Sequence, residues 1–421
     1  MRTSLAAASF AIAATMLAGC STSSSGTPAV AGPSGVTKSS SSHFISRGSP
    51  NREALEMFRW EAEGRIPGPN PPAVLKWRLH QLETQPRPIL HFPAGHVAGV
   101  GGYGTWTNFG YLVALNKRFT KTLSAINVEN NECYYPTGIK VDHNGNVWVG
   151  CQYGGNYTFD YGAIQEYNSS GSLINTYAYS DYESECPSGY ESCAVYGFDG
   201  GFDNKGHVFA LQSSGFYQTT SVFATMGSGL WWWNGNESSQ TGTFISFNNL
   251  PGGQCADGVE MCYALYMDVD GSGNVWFDFM GHGLSNCWGA GLGEVTNPTT
   301  SPSVKIVMPP CTYGFAGGIY ASNGGRVLNI TDQASRETLQ YHLPVTSSST
   351  PFNTLGPTKL NVGGYGDPVI GGFNAQDTRF ASGDGYGWLD LIKVPTNKAL
   401  ARATLSCAQA CLGAAYTPSD K

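Results

Sequence analysis

Gly138-Ile-Lys-Val-Asp142-His-Asn-Gly145-Asn-Val-Trp148-Val149 sets the fold, because apolar β-formers flank a short Asp-x-x-Gly segment on both sides. An Asp side chain caps such a turn and Gly supplies positive φ, so the stretch reads as strand, tight turn, strand. Gly201-Phe-Asp203-Asn-Lys-Gly206-His-Val-Phe209 and Met267-Asp-Val-Asp270-Gly-Ser-Gly273-Asn-Val-Trp276 repeat it closely. Gly318-Ile-Tyr-Ala-Ser322-Asn-Gly-Gly325-Arg-Val-Leu328 and Gly372-Phe-Asn374-Ala-Gln-Asp377-Thr-Arg-Phe380 are looser copies. Counted from Asp142, the turn position recurs after 61, 67, 52 and 52 residues.

Between copies lies a second, more polar pair of strands, as in Gly162-Ala-Ile-Gln-Glu-Tyr167-Asn-Ser-Ser-Gly171-Ser-Leu-Ile-Asn-Thr-Tyr177. Four-stranded units repeating at roughly 40 to 50 residues are propeller blades, and the lack of a 3.6-residue period excludes a helical solenoid. The sequence therefore predicts an all-β chain, a six-bladed β-propeller over residues 95–405, with Val97 to Val128 as a degenerate first blade. A seventh blade is open if Ala73 to Phe92 supplies strands, although Val74-Leu-Lys-Trp77-Arg-Leu79 is equally readable as helix. The propeller is flanked by an extension over 51–94, with a short amphipathic helix at Asn51 to Glu63, and by a C-terminal tail over 406–421.

The first residues carry a different message. Met1-Arg2 gives a positive start, and Leu5 to Leu17 is apolar but shorter than the ~20 residues a membrane span requires. Residues 1–19 read as a signal peptide, and its ending Leu17-Ala18-Gly19-Cys20 resembles the lipobox of bacterial lipoproteins. That resemblance implies acyl chains such as palmitate on Cys20, each buried methylene adding ~0.8 kcal/mol of membrane affinity. It also implies a place in the cell envelope, anchored on the periplasmic side or at the cell surface. Residues 20–50, rich in Ser, Gly, Pro and Thr, form a flexible tether after the lipid.

Composition narrows the partners. Charged residues make up 13% of the chain, Lys and Arg number 23, and the net charge is −7, so no clustered cations invite a nucleic acid. Membrane, envelope protein, glycan or small ligand remain. Ten cysteines besides Cys20 form an even set, expected as disulfides in an exported chain. None has zinc spacing. Cys186 and Cys193, Cys255 and Cys262, and Cys407 and Cys411 are close pairs, which leaves Cys133 with Cys151 and Cys287 with Cys311 as the favoured remainder among connectivities that sequence alone does not fix.

Pro136-Thr-Gly138-Ile-Lys-Val-Asp142-His-Asn-Gly145-Asn-Val-Trp148 with the following Gly171 turn resembles the repeats of NHL-type propellers and of virginiamycin B (streptogramin) lyase, over roughly residues 95 to 405. The resemblance implies a fold; sugar lactonases, lyases and purely binding propellers share these turn and core positions. In such propellers the inner strand starts at a mouth formed by the long loops. Seven residues before the turn position stand Tyr135, Tyr196, Tyr263 and Phe315, with Asp367 in the last copy. These residues form a partial aromatic ring that, with Trp288, suits sugars, peptides or flat apolar ligands, unless it merely packs blade on blade.

Catalytic candidates are fewer. Asp142, Asp203 and Asp270 are turn caps on the opposite face. His282, in Met280-Gly-His-Gly-Leu284, is the histidine of a glycine-rich loop at the mouth, and the lyase resemblance would make it a general base. The second His and paired Glu of such lyases are missing, and there is no Gly-x-Ser-x-Gly elbow. No cofactor is expected, and no metal ligands are assigned, although Asp181, Glu183 and Glu185 offer the clustered oxygens that a divalent cation prefers. A binding or scaffold propeller leads, ahead of a lyase- or lactonase-like enzyme using His282 and a subunit of an envelope assembly docking through the Asn51–Glu63 helix.

Overall fold

The computed structural model describes residues 97–416 apart from several segments, the longest at 102–110, 179–191, 248–259 and 356–367. The signal peptide, the tether, the extension over 51–94 and Cys20 lie outside the described residues. What is described is strand almost throughout, with one 3-10 turn at Val128–Asn131.

The chain opens with β1 (Val97–Gly101), β2 (Tyr111–Leu115) and β3 (Thr122–Asn127). An antiparallel meander follows in β4 (Cys133–Val141), β5 (Val147–Gly154), β6 (Tyr161–Tyr167) and β7 (Leu173–Ala178). The next group is β8 (Ser192–Phe202), β9 (His207–Gln218), β10 (Phe223–Met226), β11 (Gly229–Asn234) and β12 (Thr243–Ser246). A four-stranded sheet then comprises β13 (Glu260–Val269), β14 (Val275–His282), β15 (Trp288–Thr296) and β16 (Ser303–Tyr313). Another comprises β17 (Ala316–Ser322), β18 (Val327–Asp332), β19 (Glu337–His342) and β20 (Asn353–Leu355). The last in sequence is β21 (Pro368–Phe373), β22 (Arg379–Asp384), β23 (Trp388–Lys393) and β24 (Lys398–Thr404). Finally β25 (Cys411–Tyr416) returns to the opening sheet and pairs antiparallel with β1, Val97 opposite Tyr416.

The strands β25, β4, β8, β13, β17 and β21 lie at the inner edges of their meanders. Each neighbours the next in that order, and β21 meets β25 again. This closed ring is a β-propeller. Its core is not one central mass but a set of clusters, each made by consecutive meanders. Trp148, Ile164 and Tyr177 pack on Val208, Trp231 and Trp233. Phe209, Leu211 and Phe247 pack on Met267, Phe277 and Phe279. Leu265, Trp276 and Met308 pack on Ile319, Leu328 and Tyr341. A single meander leaves one apolar face bare, and only a neighbour covers it.

The turns behave as their sequence predicts. Asp142 Oδ1 accepts from the backbone N–H of Asn144 (2.8 Å) and Asn146 (2.9 Å), and Gly145 sits at φ 86°. Its Oδ2 accepts from the Trp148 indole at 3.2 Å. Asp270 repeats the set with Ser272, Asn274 and the Trp276 indole, the last at 3.0 Å. Asp203 caps its turn the same way, with His207 Nδ1 at 2.7 Å in place of the indole. The Trp of the motif is therefore both a buried wedge between meanders and the second anchor of the turn.

Two expectations need correction. Where the sequence predicts a separate sheet for each repeat, the described strands form five sheets, because β4–β7 and β8–β12 share one sheet of nine strands. The junction is a single parallel pair, Tyr161 opposite Val195, formed where the 11-residue β8 begins beyond the length of an ordinary blade strand. Residues 406–421 are not simply a tail, since Cys411–Tyr416 completes the sheet of β1. Its Leu412-Gly-Ala-Ala415 core carries no turn motif, so nothing local signals a strand whose partner is three hundred residues away in sequence.

Candidate functional site

The Asp turns join β4 to β5, β8 to β9 and β13 to β14 at one end of the ring, so the starts of the inner strands mark the opposite, mouth end. Both described disulfides lie at the mouth. Cys133, the first residue of β4, bonds Cys151 near the end of β5, and Cys287, just before β15, bonds Cys311 near the end of β16. The pairings expected for Cys186, Cys255 and Cys407 fall outside the described residues.

Tyr135, Tyr196 and Tyr263 take equivalent places near the starts of β4, β8 and β13, which are neighbours in the ring. Tyr196 is opposite Ser214 and Tyr263 opposite Met280 in their ladders. Phe315 and Asp367 lie outside the described residues. His282 ends β14, and the ladder sets it opposite Glu260, the first residue of β13, and opposite Trp288, the first of β15. Glu260, His282 and Trp288 thus share one row of the backbone ladder across three strands at the mouth. The row is held from behind: the Gly283 N–H donates to the Cys287 carbonyl at 2.9 Å, and a Cβ on Gly283 would meet the Sγ atoms of both Cys287 and Cys311.

Beneath the mouth the ring contains a polar cluster that the sequence reading missed. Lys140 of β4 and Asp199 of β8 are 4% and 1% exposed and pair at 3.3 Å. The Lys140 Nζ also donates to the Ile319 carbonyl of β17 at 3.4 Å and stands 5.9 Å from the centre of the Tyr320 ring. Strands β4 and β17 are not neighbours, so this side chain crosses the axis. Asp199 Oδ2 accepts from the Met267 N–H of β13 at 3.1 Å. Asp268 of β13 accepts from the Ala321 N–H of β17 at 2.7 Å. Asp278 of β14, fully buried, accepts from Tyr266 N–H on β13 (2.8 Å) and Gly318 N–H on β17 (3.0 Å).

These carboxylates are inter-meander staples: each reaches a backbone donor that the neighbouring inner strand turns toward it. Gly138 makes room for the first, since a Cβ there would overlap Asp199 Oδ1. Burial pushes the Asp278 carboxyl up to about 8, against the opposing pull of the Tyr266 and Gly318 amides. Burial also raises Asp199, to about 6, with Lys140 and the amides of Met267 and Gly200 holding it back. Asp268 is raised for the same reason. A signal was present in Phe277-Asp278-Phe279: a charge between aromatics in a strand buried on both faces must meet a partner inside.

Lys140, Asp199 and Asp278 are buried and Asp268 is half-buried, and the cluster binds neighbouring strands together. Among the described residues no group of three or more His, Cys, Asp or Glu side chains could hold a metal ion. The Trp231-Trp232-Trp233 run is packing: Trp231 and Trp233 are buried and stacked at 6.3 Å, and the Trp231 indole donates to Gln212 at 2.9 Å.

No protein-family model and no curated protein matches the chain. Among solved structures, the nidogen/laminin complex is similar at 9% identity and a TM-score of 0.47, covering 78% of this chain and all of that one. A hypothetical selenium-binding protein from Sulfolobus tokodaii is similar at 8% identity and a TM-score of 0.45, covering 68% of this chain and 71% of its own. A functionally unknown protein from Desulfotomaculum acetoxidans gives 10% and 0.43, covering 78% of this chain and all of that one. At these values none of them bears on function.

Proposed function

We propose that this chain is a cell-envelope lipoprotein whose six-bladed propeller acts as a binding or scaffold module through its mouth. Counting β4–β7 and β8–β12 as separate blades is supported by the cluster in which Trp148, Ile164 and Tyr177 meet Val208, Trp231 and Trp233 across their junction. The observation that carries the functional reading is the recurrence of Tyr135, Tyr196 and Tyr263 at one level on adjoining inner strands, at the end that both disulfides brace. Rigid aromatic positions give large contact area at low ordering cost, and a glycan, a peptide or an envelope protein suits them.

The purified full-length protein in detergent is to be titrated with glycans, peptidoglycan fragments and envelope proteins. Binding should appear, with Tyr196→Ala weakening it about tenfold; no binding to any of them sinks the reading. Lipid on Cys20 is tested separately: labelled palmitate should be incorporated by the wild type and not by Cys20→Ala.

One observation favours a second reading, a lyase- or lactonase-like enzyme with His282 as base. Glu260 is the backbone partner of His282 in the ladder, and a histidine base works with a carboxylate partner. A divalent cation belongs to this reading. Turnover of a lactone or cyclic ester that survives His282→Ala or a chelator unchanged removes the residue or the cation from it.

A further inference from the structure

Apolar clusters join successive meanders among the described residues, and the axial charges add a second kind of contact with a consequence of its own. Lys140 brings one positive charge to a place where Asp199, Asp268 and Asp278 bring three carboxyls; Lys140, Asp199 and Asp278 are 4%, 1% and 0% exposed, and Asp268 is half-buried. Fully ionised, the cluster is doubly negative; holding two protons, it is neutral. The same oxygens accept the Met267, Tyr266, Gly318 and Ala321 amides that tie β8, β13 and β17 together.

We propose that Lys140, Asp199, Asp268 and Asp278 form a proton-operated latch at the axis, closed while the cluster holds protons and loosened along the β13–β17 seam as alkali removes them. The groups facing it are Lys140 from β4, Asp199 from β8, Asp268 from β13, Asp270 from the turn after β13, Tyr313 from β16 and Tyr320 from β17. Tyr313 is buried and Tyr320 half-buried, and their hydroxyls are held well above their ordinary range, so neither adds a charge. The sign follows from linkage. Where a carboxyl is pushed above its unfolded value, the folded state holds the proton more tightly, and stability present below the ordinary carboxylate range is lost as pH rises through the folded value. The window runs upward from ordinary carboxylate values through about 6 for Asp199 to about 8 for Asp278. The latch does not depend on what the mouth binds.

The test is hydrogen–deuterium exchange on the full-length protein at about pH 5 and about pH 9, corrected for intrinsic exchange. Protection at Tyr266, Met267, Gly318 and Ala321 should fall at least about tenfold relative to the β22–β23 ladder, and Asp278→Asn should abolish the fall at Tyr266 and Gly318. Equal change in both regions overturns the latch. Should Asp278→Asn prevent folding, a carbon-13 titration of the wild-type carboxyls decides alone. A proton retained on an axial carboxyl at neutral pH upholds the proposal; all three ionised at about pH 5 refutes it.

Discussion

The seam between β13–β16 and β17–β20 and the seam between β17–β20 and β21–β24 flank the same meander and are built from opposite materials. The first combines a broad apolar cluster with two carboxylate staples, Asp268 to Ala321 and Asp278 to Gly318. The second is filled by rings: Tyr320 stacks on Phe373 at 5.7 Å, and Phe373 lies 4.7 Å from Phe380. Tyr320 belongs to both, with Lys140 5.9 Å from its centre and Phe373 stacked on it. The difference teaches that one ring can be closed by two kinds of joint, of which the first carries a fully buried carboxylate, Asp278, and the second only the half-buried Asp377, bonded to the Asn323 backbone. An apolar joint holds at any pH. A buried carboxylate joint holds only while its charge is balanced.

The comparison breaks most sharply at Lys140. Lys140→Met leaves buried carboxyls without their cation and should cost about 3–5 kcal/mol in alkaline buffer, and clearly less in acid, where protons substitute for the ammonium. Urea unfolding at two pH values checks it, and an equal loss at both would erase the contrast between the seams. Phe380→Ala strikes the other joint and should also cost about 3–5 kcal/mol, but by the same amount at both pH values. Gly371→Ala drives a methyl into the Phe380 ring and the Ala381 carbonyl, and overpacking of this kind should cost about 1–3 kcal/mol, again without pH dependence. Asp270→Ala should remove a turn cap at a cost of about 1 kcal/mol, read as a lowered melting temperature. Phe352→Ser, on an exposed ring stacked against His342 at 4.1 Å, should change stability by less than about 0.5 kcal/mol.

How far the chain could be read in advance follows the range of each signal. Asp142, Gly145 and Trp148 announce a turn and a buried wedge within a few residues, so the repeated hairpin and the propeller were legible. The Cys133–Cys151 and Cys287–Cys311 bridges were legible too, since each spans a single meander. The pairing of Cys411–Tyr416 with β1 was not, because a strand of small residues says nothing about a partner so remote. Nor were the axial staples. Asp268 is overshadowed by the turn residue Asp270, and Asp199 sits four residues before Asp203 among glycines, so only the ring reveals that both face inward. The mouth was legible as a place, with Tyr135, Tyr196, Tyr263 and His282 at the predicted end of their strands. The Glu260–His282–Trp288 row was not, since it depends on a bulged register between β13 and β14.

The return of β25 to β1 also sets an order of events. Every other meander is assembled from contiguous chain and can form as it is made, whereas the opening sheet waits for residues 411–416. A chain that emerges linearly from its N-terminus therefore exposes an unpaired β1 edge, and one bare inner position, until its final segment arrives. The search that joins such distant segments is entropically slow. For as long as it lasts, the same edge is an invitation to any stray strand, and a guardian that shields it would act at β1 rather than at the mouth.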